Sequence, residues 1–74
     1  MKEHDLVVLT HDIGERALRA GDVGTIVHSY GGGSFEVEFV SAGGDTIAIL
    51  TLSEADLRAM AQREILHVRK LAAI

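Results

Sequence analysis

Apolar and polar positions change phase several times along this chain, and each change marks an element. Leu6-Val7-Val8-Leu9 is a β-rich apolar run too short for a helix, which predicts a first strand within Asp5 to Thr10. His11 to Ala20 is mostly polar, contains Gly14, and reads as a long connection anchored by Ile13, Ala17 and Leu18. Gly21 and Asp22 turn the chain into a second strand, Val23 to Tyr30, and Gly31-Gly32-Gly33-Ser34 makes a hairpin loop to the third. In Phe35-Glu36-Val37-Glu38-Phe39 apolar and acidic residues alternate without a fault, so Phe35, Val37 and Phe39 form a core face and Glu36 and Glu38 point away from it. Ser41-Ala42-Gly43-Gly44-Asp45 is the next turn, and the continuous apolar run from Thr46 to Leu52 predicts a fourth strand at least partly covered on both faces.

The C-terminal part carries two patterns at once. Ser53-Glu54-Ala55-Asp56 has an N-cap residue followed by acids, and Leu57, Met60, Ala61, Ile65 and Val68 fall at helical spacing, which permits a helix to about residue 70. A small sheet left open would expose its edges, which favours the other reading. In it a single helical turn near residues 53–57 leads to a closing strand at Leu57 to Met60, and Ile65-Leu66-His67-Val68-Arg69 forms a short sixth strand.

These elements predict an all-β domain over residues 1–74: a small SH3-like barrel of five to six short antiparallel strands, with a basic, apolar C-terminal segment at 57–74. A domain of 74 residues buries only about 60% of its unfolded surface, so a partner or a second copy of the chain is an expected source of added stability.

Charge sharpens this picture. The net charge of −4 divides into three bases against ten acids over residues 1–56, net −7, and four bases against one acid over residues 57–74, net +3. An acidic body repels phosphate backbones and steers toward basic protein surfaces. The chain has no cysteine, which removes disulfide, zinc-thiolate and redox roles together and makes a cytoplasmic setting the default. No basic stretch followed by a long apolar one precedes the first strand, and no apolar run approaches the ~20 residues of a membrane span.

Candidate chemistry is sparse. His4, His11, His28 and His67 show neither the i, i+2 spacing of a strand metal site nor the i, i+4 spacing of a helical one, so no metal is expected. Glu36 and Glu38 stand about 7 Å apart by strand rise, a separation compatible with a carboxylate pair, but the residues around them suggest neither a cleft nor an aromatic platform. No nucleophile elbow surrounds Ser29, Ser34, Ser41 or Ser53, and the triple glycine lacks the lysine of a phosphate-binding loop. Of three aromatic residues two belong to the core face, which leaves Tyr30 as the leading individual contact residue.

The series Asp5-x-Val7-Val8-Leu9-Thr10, Gly21-Asp22-Val23-Gly24-Thr25-Ile26-Val27, Phe35-Glu36-Val37-Glu38-Phe39 and Thr46-x-Ala48-x-Leu50-Thr51-Leu52 resembles an uncharacterised family of small bacterial single-domain proteins with an SH3-like barrel. The resemblance spans roughly residues 5–70. It implies a stand-alone accessory protein that accompanies a neighbouring toxin-like or enzymatic gene product. Members of that family commonly carry loop prolines, and this chain has none. Gly21-x-x-Gly24-x-Ile26 also resembles the KOW element of ribosomal and transcription-factor barrels. Physically, Gly21 suits a positive φ at the turn, Asp22 is a turn residue, and Gly24 admits a close neighbour.

Together these readings favour a non-enzymatic protein-interaction module. Its expected contact residues are Tyr30, Glu36 and Glu38 on the acidic face, and Arg58, Arg63, Arg69 and Lys70 with the apolar end Leu66, Val68, Leu71 and Ile74. The expected partner is another, co-encoded protein in an antitoxin-like pairing, or a second copy of the chain, and no cofactor is implied. The alternative is a KOW-like RNA-binding module working through the basic tail, and the third reading is a carboxylate enzyme using Glu36 and Glu38.

Overall fold

A computed structural model of the chain describes residues 1–71, which places Ile74 of the expected apolar end outside the described residues. The fold is all-β, as the pattern predicts. Strands β1 (Leu6–Leu9), β2 (Val23–Gly31), β3 (Ser34–Val40), β4 (Thr46–Ser53) and β5 (Leu57–Ala59) form one antiparallel sheet in the order β4-β3-β2-β1-β5. The expected helical turn is a single 3₁₀ turn, Glu54–Asp56, between β4 and β5; a second, Gly14–Arg16, lies in the long first loop. At the former, the Asp56 carboxylate accepts from the Ser53 backbone N–H (2.9 Å) and the Ser53 hydroxyl (3.0 Å), which closes the turn and starts β5.

The core is the inward set of the alternation. Val7, Leu9, Ile26, Phe35, Val37, Phe39, Ala48, Leu52 and Leu57 are buried together with Leu18 from the first loop. Ala17, expected as a further anchor, is exposed: it ends the first 3₁₀ turn at φ 56°, a left-handed position that carries its methyl away from the core. Gly24 lies in the core layer, where a Cβ would come within 2.6 Å of Val37 Cγ1 and 2.9 Å of Phe39 Cε1, so no larger residue fits without displacing buried side chains. Gly21 sits at φ 94° at the entrance to β2.

Three irregularities interrupt the pairing: at Val27 and at Tyr30 in β2, and at Ile47 in β4. Between the pairs Ile26↔Val37 and His28↔Glu36, β2 holds one residue more than β3, so Val27 forms a bulge and the alternation of β2 reverses there. His28 would share the inward face of Ile26 in an unbroken strand; it lies instead opposite Glu36 on the outer face. In β4 the extra residue is Ile47, between Ala48 (opposite Phe39) and Thr46 (opposite Val40). The partial cover expected on both faces of β4 is uneven. Ala48, Leu50 and Leu52 pair with the core residues of β3, whereas Ile49 stands opposite Glu38 and is 50% exposed.

The expected sixth strand over Ile65–Arg69 does not form, nor does the alternative helix. β5 is only three residues long and offers a short template. Beyond it Glu64 closes a turn, accepting from the Ala61 N–H (2.7 Å) and from both terminal nitrogens of Arg58 (2.7 and 2.6 Å), which carries the chain off the sheet edge. Among the described residues no backbone hydrogen bond joins 65–71 to the sheet.

Candidate functional site

The outer face of β2, β3 and β4 brings together three of the expected contact residues. Glu36 accepts from the Thr51 hydroxyl (2.7 Å) and the Tyr30 hydroxyl (3.3 Å), and Glu38 accepts from the Thr46 hydroxyl (2.7 Å). These hydroxyls fix the carboxylates without neutralising them. Among the described residues no cation pairs with either. Tyr30 is 55% exposed, its ring stands edge-on to His28 at 4.6 Å between centroids, and desolvation with the negative charge of Glu36 raises its pKa. His28 in turn lies 3.4 Å from Glu3. The result is a face of two anchored acids flanked by Tyr30, Val27 and Ile49, each at least two-fifths exposed.

The tail is fixed at a second place, which sequence reasoning did not find. Asp22, read as a turn residue, is buried, and its carboxylate accepts from Arg69 Nε (2.8 Å) and Nη2 (2.6 Å), His67 Nε2 (3.1 Å) and the Arg19 backbone N–H (2.9 Å). Arg69 Nη2 also donates to the Ala17 carbonyl (2.9 Å). Burial pushes the Asp22 carboxyl up, but the Arg69 guanidinium, the Arg19 N–H and His67 outweigh it and hold it down to about 2. The side-chain partners of Asp22 lie 45 and 47 residues away, so no local motif could have announced them. The available signal was compositional: one acid at the entry of an apolar strand, and a basic tail of opposite charge to the body.

This arrangement divides the four tail cations. Arg69 holds Asp22 and Arg58 holds Glu64, whereas Arg63 and Lys70 form no ion pair among the described residues. The tail also walls an apolar cleft of about 590 Å³, with Leu66 and Leu71 on one side and Leu6, Val23, Phe39 and Ile47 on the other. Neither Glu36 nor Glu38 lines it. On the remaining flank His11 Nε2 meets Asp56 Oδ1 at 2.6 Å while its Nδ1 meets the Asp12 carbonyl at 3.0 Å. Two acceptors are satisfied only by the doubly protonated ring, and Asp56 foremost raises the His11 pKa. Among the described residues no three His, Asp or Glu side chains are grouped as metal ligands, and no helix is long and apolar enough to cross a membrane.

Fold and site thus define a small all-β domain with an acidic, hydroxyl-anchored outer face and a C-terminal segment latched by charge. The family described as Domain of unknown function (DUF4926) matches residues 3–59, and the chain belongs to it. That match ends with the last residue of β5, Ala59, so Asp22 lies inside it and Arg69 outside. No curated protein and no solved structure matches the chain.

Proposed function

We propose that this protein is a non-enzymatic interaction module, a small bacterial SH3-like barrel working in the cytoplasm as the accessory or antitoxin-like partner of a co-encoded protein. The carrying observation is the pair Glu36 and Glu38, held by hydroxyl donors on an exposed face with no cation of the described chain against them. Anchored, unpaired carboxylates beside an exposed tyrosine suit a partner that presents Lys or Arg around an apolar residue. The strand order, with β5 beside β1 and a 3₁₀ turn between β4 and β5, supports the SH3-like reading of the barrel.

The RNA-binding alternative is weakened because Arg58 and Arg69 are engaged within the chain, leaving two of the four tail cations for phosphate among the described contacts. The carboxylate-enzyme reading loses ground because both acids lie outside the apolar cleft.

The experiment is calorimetric titration of the protein encoded beside this one into the wild type and into Glu36→Lys/Glu38→Lys. Stoichiometric binding that the double reversal weakens at least tenfold supports the reading. Absent binding, or equal binding to both, overturns it.

A further inference from the structure

We propose that residues 60–71 are an exchangeable arm, and that the cleft beside Asp22 receives the same arm from a second copy of this chain, each copy's Arg69 seated on the other's Asp22.

The cleft's chemistry specifies its occupant. Its barrel wall is aliphatic and aromatic (Leu6, Val23, Phe39, Ile47), and beside it stands a buried carboxylate with two oxygens in reach of donors. A guanidinium flanked by aliphatic side chains satisfies both halves. Segment 65–71 is such a ligand, and the donors from Arg69 and His67 occupy the site within one chain.

Its attachment is of a kind that is readily exchanged. Segment 65–71 lacks the backbone ladder that ties β1 to β5, and depends on Arg69, His67 and the apolar contacts of the cleft. Segments held by side chains alone open at a lower free energy than core strands. Exchange of an identical element reproduces each closed contact between copies and needs no new complementary surface.

One further observation favours a second copy over the closed monomer. Ile65, β-branched and apolar, is 96% exposed and takes no part in lining the cleft, and the arm of a second copy would supply apolar surface to cover it. The inference makes no use of Glu36 or Glu38 and stands or falls apart from the acidic-face reading.

The test uses the full chain in two complementary variants, Asp22→Arg and Arg69→Asp. Each alone sets like charges against each other at the latch. Mixed, an exchanged heterodimer seats the native Arg69 of the first variant on the native Asp22 of the second, and sets the introduced carboxylate against the introduced guanidinium at the other latch. Light scattering should then show a one-to-one dimer that neither variant forms alone. Because Asp22→Arg is a buried change, two surface variants accompany it: Arg19→Cys and Lys70→Cys, at exposed positions that line one small cleft of a chain with no native cysteine. Under oxidation of their mixture, exchange gives a disulfide between the two different chains, at least tenfold above that with a Gly32→Cys control. The proposal is overturned if the wild type stays monomeric up to about 1 mM. It is equally overturned if a dimer forms whose cysteines link only when both are carried by one chain. Wild-type dimerisation abolished by Glu36→Lys, with no disulfide joining the Arg19→Cys chain to the Lys70→Cys chain, assigns the contact to the acidic face and rejects the arm.

Discussion

Ile26 and Ile65 are the same side chain in two regions of one small domain, and their fates are opposite: Ile26 is fully buried in β2, Ile65 is 96% exposed in the tail. Around Ile26 the backbone is paired on both sides, by β1 and β3, and each paired strand presents an inward residue to the same core. Around Ile65 there is no ladder, and the chain is held by an ion pair four residues further on. Burial follows from how many neighbouring strands converge on a position, which hydropathy alone does not report. The sheet is therefore held by area, the tail chiefly by charge, and the two should respond to different perturbations.

The largest test of that contrast is the same substitution in both regions. Ile26→Ala should cost about 2–5 kcal/mol, comparable to the whole stability of a domain this size. Ile65→Ala should stay within about 0.5 kcal/mol, and paired urea titrations read both. If the two variants unfold at similar midpoints, the division into area-held and charge-held regions is wrong. Overpacking probes the sheet from the other side: Gly24→Ala pushes a methyl against Val37 and Phe39 and should cost about 1–3 kcal/mol.

At the latch, Arg69→Ala removes three donor contacts from Asp22 and the Ala17 carbonyl and should cost about 1–3 kcal/mol. Its signature is local. Trypsin should cut at Arg63 and Lys70 sooner, while hydrogen exchange in β2 and β3 changes only by the global loss. The same latch is addressed by acid. The Asp22 pKa is depressed to about 2 in the folded chain, from an ordinary value of 3.8, so its contribution is complete above about pH 4 and is lost as pH falls toward 2. An acid titration in high and low salt should show the tail amides shifting in that window.

The smallest expected effect is at His11. Its pKa is raised above the ordinary 6.5, so the stabilisation from its pair with Asp56 is present below about pH 6.5 and disappears as pH rises through the folded value. A proton NMR titration should place His11 above the ordinary histidine value, and Asp56→Asn should lower it toward that value. Since the pair is exposed, the accompanying change in midpoint should be slight.

Much of the sheet was legible because strand alternation is a local property. Phe35, Val37 and Phe39 could face only one way, and the Ser53-x-x-Asp56 spacing marked the turn that leads into β5. Less of the site was legible. Tyr30, Glu36 and Glu38 could be named, but the bond of Tyr30 to Glu36 depends on the pairing of β2 with β3, and the anchoring of Glu36 by Thr51 and of Glu38 by Thr46 on pairing with β4. Arg58 and Arg69 were read as outward-facing cations because the sequence shows charges without showing what folds back onto them.

By itself, the sequence determined the strands, the inward set of residues, the need for glycine at 21 and 24, and the split of charge between body and tail. Each follows from side-chain periodicity, local backbone geometry or composition, all written within a few neighbouring residues. Only the tertiary structure decided that Val27 bulges and turns His28 toward Glu36, that the tail forms no sixth strand, and that Asp22 binds a residue 47 positions away. Those outcomes depend on register and on which distant groups share a buried space, and neither quantity has a local signature.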